Sequence, residues 1–260
     1  MRDILSKRSI VPNSWRIGKR SKHPPLGHLI VHGSHHKVGT VWFNRILGGL
    51  AMHLGWTCHI GKQEDLPSNA RIFVEEHSRI NLGKLPSFVG SHIIRDPRDV
   101  VVSGYFYHLK CKEEWCLESR DEFGGRSYQD VLGDLDMNEG IEFEMRNIGK
   151  STLNEMLSWD YEQANVFEMK YEQLVDDETG TFAALFKHYG LTTEQIGIGL
   201  QFVEKYSFKN VRRSRKSEIH LRSGKANQWR TIFTDSHVEI CKSLYGEGLV
   251  TLGYENDLNW

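Results

Sequence analysis

Lys37 stands in a glycine-bearing loop, Gly33 to Gly39, between an apolar run and a segment of helical spacing. An ammonium group there can hold a phosphate, and so can the N–H groups of the first turn of the helix that follows. Leu29, Ile30 and Val31 suit a buried strand, and Trp42, Phe43, Ile46 and Leu47 give the stretch from Thr40 onward its helical period. The loop is not a Walker A sequence, because its lysine precedes Gly39 by two residues and no Lys-Ser or Lys-Thr follows. The spacing therefore predicts a phosphate cradle that does not serve a nucleoside triphosphate with magnesium. Arg95 and Ser103 form a second candidate, an arginine at the end of an expected strand and a hydroxyl on the adjoining helix, suited to another phosphate. A third lies in LRSGKANQWRTIF, residues 221–233, where Arg222, Gly224 and Lys225 can make a cationic flap pinned by Trp229 and Phe233. Tyr171, Ser207, Phe208 and Trp42 can serve a base. Taken singly, each cluster has a plain alternative: a surface ion pair, a solvated basic loop, a core aromatic.

These residues need strands and helices to place them. Trp56 to Ile60, Ala70 to His77 and Val89 to Ile94 read as further strands, the last ending at Arg95. Asp96 can then cap a helix with Pro97 in its first position and Asp99 in its first turn. Helices are also expected at 142–162, 179–189, 193–206 and 235–245, with a strand at 166–170 and a ligand-wrapping loop at 207–231. Strands alternating with helices predict an α/β fold, a single domain with a central parallel sheet flanked by helices and ligands at the strand C-terminal ends. Residues 1–25 read as a partly ordered lead-in and 26–260 as the domain. Within it, residues 111–146 carry eleven acidic against four basic side chains and read as an acidic lid insert.

The 260 residues hold 33 Lys+Arg against 34 Asp+Glu, a balance with no bulk field for nucleic acid or an anionic membrane. The N-terminus lacks a secretory h-region and no apolar run is long enough to span a bilayer, so a soluble cytoplasmic protein is expected. The four cysteines read as reduced thiols, although Cys111 and Cys116 are near enough in sequence to meet. His35 and His36 are a poor metal pair, being loop neighbours with no partner at ligand spacing. No metal site is expected, and oligomeric state is not readable.

The order of motifs is informative. K-x-G-T-x-W is followed by R-D-P-R-D-V-V-V-S-G-Y, then K-Y-E-Q-L, Y-S-F and R-x-G-x-x-x-x-W-x-x-x-F. That series resembles the sulfotransferase family that uses 3′-phosphoadenosine 5′-phosphosulfate (PAPS) and releases 3′,5′-bisphosphoadenosine (PAP), from about Leu29 to Tyr254. The resemblance implies a P-loop nucleotide-kinase-like fold. It implies that Lys37, Gly39, Thr40, Val41 and Trp42 bind the donor 5′-phosphate, Trp42 also flanking adenine. Arg95 and Ser103, helped by Arg222, Ser223 and Gly224, would hold the 3′-phosphate, and Tyr171, Ser207 and Phe208 would surround the base. The sequence departs from the family at Val38 and Val41, which lack a hydroxyl, and at Ser223, where lysine is usual in the cytosolic branch.

Sulfuryl transfer needs a base for the acceptor and stabilisation of charge growing on the leaving phosphate. Lys37 and the helix N–H groups supply the second, and a leaving group already held by protein donors requires no metal in principle. His77 falls where the family places its catalytic histidine, with Glu75 and Glu76 as rivals and His108 and His36 behind them. Tyr105, Tyr107, His108 and Trp115 are candidate walls for a small-molecule acceptor. The net charge of −7 over 111–146 suggests a cationic one, an amine or guanidinium-bearing natural product. Two rival functions share much of this pattern: a nucleoside or small-molecule kinase, and a non-catalytic PAP-binding protein.

Overall fold

A computed structural model of the chain describes residues 26–207, 210 and 224–260. The lead-in 1–25 and the candidates Phe208, Arg222 and Ser223 lie outside the described residues. The chain divides into two compact units, one from the described parts of Pro12–Arg95 and Ser158–Arg215, the other from Asp96–Leu157 and the described part of Lys216–Trp260.

The first unit holds a five-stranded sheet of β1 (Leu29–Gly33), β2 (Thr57–Ile60), β3 (Ala70–Glu75), β4 (Phe88–Ile94) and, later in the chain, β7 (Val166–Lys170). The spatial order is β2-β3-β1-β4-β7 and every pairing is parallel. All five residues of β1 are buried, as a central strand covered on both faces requires. α1 (Thr40–Leu54) buries Trp42, Phe43, Ile46, Leu47, Leu50, Ala51 and Leu54, one apolar stripe at helical spacing. It stops at Gly55, whose φ of 69° is open to glycine and whose N–H donates back to Met52. α7 (Tyr171–Asp176), α8 (Glu178–His188) and α9 (Thr193–Tyr206) complete this unit. Asp177 caps α8 through the Gly180 N–H, and a Thr192–Gln195 capping box opens α9.

The second unit is mainly helical: α2 (Pro97–His108), α3 (Glu114–Leu117), α4 (Tyr128–Asp134), α5 (Met137–Glu144) and α6 (Lys150–Leu157), with a small antiparallel hairpin of β5 (Ser119–Arg120) and β6 (Arg126–Ser127). A turn at Trp229–Ile232 and a helix at Asp235–Thr251 close it. α2 starts as its sequence dictates, Asp96 accepting from the Arg98 N–H and Pro97 occupying the first helical position. Where a lid is expected at 111–146, Cys116, Tyr128, Leu132, Ile141, Glu144 and Met145 are buried, and two capping boxes start α4 and α5. A few well-spaced apolar residues suffice to seat such short helices, and the many charged residues between them mask the pattern. The helix expected at 142–162 begins earlier, passes through a π-helical turn at Met145–Gly149 and ends at Leu157. The strand read to His77 ends at Glu75. Among the described residues no helix is long and apolar enough to cross a membrane. Cys58, Cys111, Cys116 and Cys241 are unbridged.

Candidate active site

Because the sheet is parallel, the loops that leave β1, β3, β4 and β7 all emerge at one edge. The segments that follow these strands carry Lys37, His77, Arg95 and, as the first residue of α7, Tyr171. The loop after β1 curls through two left-handed residues, Lys37 at φ 63° and Gly39 at φ 104°. A lysine in that region is uncommon and marks a backbone held by its surroundings. What holds it is visible. Thr40 Oγ1 donates to the His35 carbonyl at 3.0 Å and lies 3.1 Å from Ser34 Oγ, Val38 is fully buried, and Arg95 Nη1 donates to the Lys37 carbonyl at 3.1 Å. α1 then begins at Gly39 with no side-chain cap, which leaves its first turn suited to an anion.

Arg95 is only 4% exposed. Its guanidinium lies 4.3 Å from the centre of the Tyr171 ring, so the arginine joins the β1 loop to the residue that opens α7. The structure thus brings Lys37, Arg95 and Tyr171 together from three of these segments. Ser207 is also in this unit, buried at the C-terminal end of α9. Val41 is exposed, whereas Trp42 is 5% exposed and packs edge-on to Phe43 and Phe182. Trp42 is therefore largely committed to the α1–α8 core, which limits the ring face available to a base.

His77 sits half-buried in the turn after β3. That turn is tied to the β1 loop twice, by the Ser34 N–H donating to the Glu75 carbonyl at 3.1 Å and by Ser78 Oγ donating to the Ser34 carbonyl at 2.9 Å. The rival carboxylates are both engaged. Glu75 Oε2 accepts from the backbone N–H of His77 at 3.0 Å and of Arg79 at 2.5 Å. Burial raises its pKa, an effect those N–H groups oppose. Glu76 accepts from Asn44 Nδ2 of α1 at 2.7 Å. Glu75 shapes the turn and Glu76 braces it, while the histidine between them and Ser78 rides on both.

A profile of the sulfotransferase domain matches residues 91–253, well over half of the chain. This chain belongs to the sulfotransferase domain family. The fold of this sulfotransferase is similar to that of mouse sulfotransferase SULT7A1 complexed with PAP, at 15% identity over 85% of this chain and 84% of the other, with a TM-score of 0.57. It is also similar to retinol dehydratase in complex with androsterone and inactive cofactor PAP, at 16% identity over 85% and 80% of the two chains, with a TM-score of 0.55. At such identities the likeness is one of fold. No curated protein matches the sulfotransferase by sequence. The matched span begins after the Lys37 loop, so that loop's role rests on its own geometry.

The remaining candidates of the sulfotransferase lie in the helical unit. Ser103 is half-buried on α2, and Gly224 opens the described C-terminal stretch at φ 62°. Tyr107 is buried and its hydroxyl donates to Glu113, which also accepts from Trp115 Nε1 at 2.5 Å. Tyr105 is buried as well. His108 is fully buried, its Nδ1 2.9 Å from Glu144 Oε2, an oxygen that also accepts from Tyr128 OH at 2.8 Å. This is the setting of a core histidine, so His108 is a poor acceptor wall and a poor base. Trp115 is the one of these four side chains that is half-exposed.

Sequence reasoning missed two arrangements. One is a pair of largely buried polar groups on opposite faces of the sheet, His32 with Ser91 and His35 with His92 and Glu168. Its only sequence signal is polar residues inside strands that ought to be buried. The other is a clamp around Arg98, which lies against the rings of Trp229 and Trp260 at 3.9 and 4.6 Å, two rings that meet edge to face, and pairs with Asp96 and Glu255.

Proposed function

We propose that the protein transfers the sulfuryl group of PAPS to a hydroxyl or amine of a small-molecule acceptor, with the loop Ser34–Thr40 holding the donor 5′-phosphate. The observation that carries this reading is the joining of Lys37, the uncapped start of α1 and Arg95 at one edge of a parallel sheet. All three are donors or cations, a set that fits a phosphate. Ser103 and Gly224, with Arg222 and Ser223, extend the nucleotide contacts by family resemblance, and on the same resemblance Tyr171 and Ser207 would surround the base.

In the reaction the acceptor oxygen or nitrogen bonds to sulfur as the bond from sulfur to the 5′-phosphate oxygen breaks. His77 takes the proton the acceptor loses. Lys37 and the N–H groups of α1 stabilise the charge that grows on the departing phosphate, an effect on the order of 10²–10³ in rate for one such donor. Neither Glu75 nor Glu76 is as well placed for the proton, since each already accepts hydrogen bonds that fix the turn.

A cationic acceptor is the finer reading, supported by the acidic composition of 111–146. Part of that charge is used internally: Asp130 and Asp136 cap helices, Glu144 is buried, and Asp134 and Glu142 pair with Arg126 and Arg146. Glu122 pairs with Arg120 as well, and exposed Glu114 and Asp121 remain to draw a cation. The test is sulfuryl transfer from PAPS to matched cationic, neutral and anionic phenols and amines, beside phosphoryl transfer from ATP with magnesium. Transfer from PAPS supports the reading, and a preference for the anionic acceptor removes its cationic part. Transfer from ATP alone replaces it with a kinase, and PAP binding without any transfer replaces it with a nucleotide-binding protein.

A further inference from the structure

Beneath the phosphate loop a chain of titratable side chains leads from solvent to the loop itself. His92 Nε2 lies 2.8 Å from His35 Nε2, and His92 Nδ1 lies 2.7 Å from Glu168 Oε2. The geometry follows from the sheet. His92 of β4 and Glu168 of β7 are register partners and so share a face, while His35 is the second residue after β1, the strand on the other side of β4. Trp159 closes the arrangement, its ring stacked on His92 at 4.2 Å and its Nε1 donating to Glu168 Oε1 at 2.8 Å. Both histidines are fully buried, whereas the Glu168 side chain is 32% exposed and gives the chain one end in water.

We propose that Glu168 is a positioning residue acting through His92 on the P-loop histidine His35, its proton state deciding which nitrogen of His35 carries hydrogen. Proton counting leaves two arrangements. With Glu168 ionised, His92 Nδ1–H donates to the carboxylate, His92 Nε2 accepts from His35 Nε2–H, and His35 Nδ1 carries no hydrogen. With Glu168 protonated, its O–H donates to His92 Nδ1, His92 Nε2–H donates to His35 Nε2, and His35 carries hydrogen on Nδ1. One proton taken up at the rim is thus relayed as a tautomer change in the loop that holds the donor phosphate, with no net charge on either ring.

Burial raises the Glu168 carboxyl to about 7, against the opposing Trp159 hydrogen bond and a lesser lowering by His35 nearby, and lowers His92 to about 3. The exchange therefore turns on Glu168 near neutrality. Other titratable groups face the chain. His32 on β1, itself lowered by burial and by His92 and His35, stays neutral. Tyr161, raised by burial and by Glu168, stays protonated. Lys170, two residues along β7, shares the Glu168 face. Protonating Glu168 removes the negative charge beneath an anion site, so bound PAP favours the protonated form and the protonated form favours PAP.

The inference rests on the reading that the loop binds PAP, and its test separates the two. Glu168→Gln presents an amide N–H to His92 Nδ1 and a carbonyl to Trp159, the pattern of the protonated acid at every pH. PAP is titrated into wild type and variant from pH 6 to 8, which cancels the ligand's own ionisation in the ratio of dissociation constants. The expected ratio is near unity at pH 6, with the variant binding roughly fivefold tighter at pH 8, the low end of ordinary site coupling. A ratio that does not change with pH overturns the proposal, including a uniform loss from structural damage. Nitrogen-15 shifts of the His35 ring in wild type without ligand give a second reading. Hydrogen moving from Nδ1 to Nε2 between pH 6 and 8 supports the relay, and an unchanged tautomer overturns it. Absence of PAP binding by wild type would remove the functional reading alone, since the ring shifts decide the relay without it.

Discussion

Replacing Arg98 with methionine should cost more stability than almost any other single change in the helical unit. Arg98 is 1% exposed and its fork is fully used: Nε and Nη2 donate to Asp96 at 2.9 and 2.8 Å, and Nη1 donates to Glu255. Methionine fills much of the same volume against Trp229 and Trp260, so the loss is mainly electrostatic. Removing one partner of a buried ion pair costs about 3–5 kcal/mol. Asp96 keeps the Arg98 backbone N–H, which favours the lower end, while two lost ring contacts add about 1 kcal/mol. A loss of roughly 4 kcal/mol at 2–4 °C per kcal/mol lowers Tm by on the order of 10 °C. Urea unfolding followed by tryptophan fluorescence is the assay, since two tryptophans flank the site. Asp96→Asn combined with Arg98→Met should recover part of the loss, because the stranded carboxylate is gone. A single-variant loss below about 1 kcal/mol would refute the idea that this clamp is a desolvated ion pair. The Trp229 backbone N–H also donates to Asp99 at 3.0 Å, which ties the turn at Trp229 to α2.

Other expectations follow from the same geometry. Lys37→Ala should lower kcat by at least about 10²-fold while leaving the urea midpoint unchanged, because the half-buried side chain contributes to the transition state and not to the core. His77→Ala should lower kcat by about 10²–10⁴-fold with PAP affinity retained; an equal loss of both would make His77 a structural residue of the turn. Stability should decline on the acid side. Burial lowers both His32 and His92, so the unfolded chain binds more protons below pH 6.5 and stability falls as pH drops through that window. Glu168, raised to about 7, works the other way between pH 4.5 and 7, leaving a net decline of about 1.4 kcal/mol per pH unit in the shared range. Urea unfolding at pH 6.5 and 5 checks it, and equal stability at the two would contradict the burial of two neutral histidines.

The parts of the fold legible in the sequence are those written in local patterns. β1 opens on the apolar run Leu29 to Val31, α1 has a full stripe from Trp42 to Leu54, and α2 carries its cap and proline in adjacent positions. What stayed hidden depends on which strands become neighbours. Arg95 reaches the Lys37 carbonyl because β4 lies beside β1, a placement no stretch of letters near either residue states. The relay is hidden for the same reason: His92 and Glu168 are far apart in the chain and meet only through the β4–β7 register. The 111–146 segment misleads differently, since its buried residues are few and its helices short, with carboxylates used as caps. α7 is six residues long, too short to show a period, and it redefines Tyr171 as the residue at a strand-to-helix junction. His108 looks reactive in sequence and is instead shut in by Glu144 and Tyr128, a pairing that depends on α4 and α5 folding over α2.

Calorimetric titration of wild type, Lys37→Ala and Arg95→Ala with PAP addresses the central claim most directly. The account predicts saturable binding by wild type and a loss of about tenfold or more in each variant, as expected for charge-assisted contacts to phosphate. Binding that ignores both substitutions would put the nucleotide elsewhere on the molecule and contradict the cradle built from β1, β4 and α1.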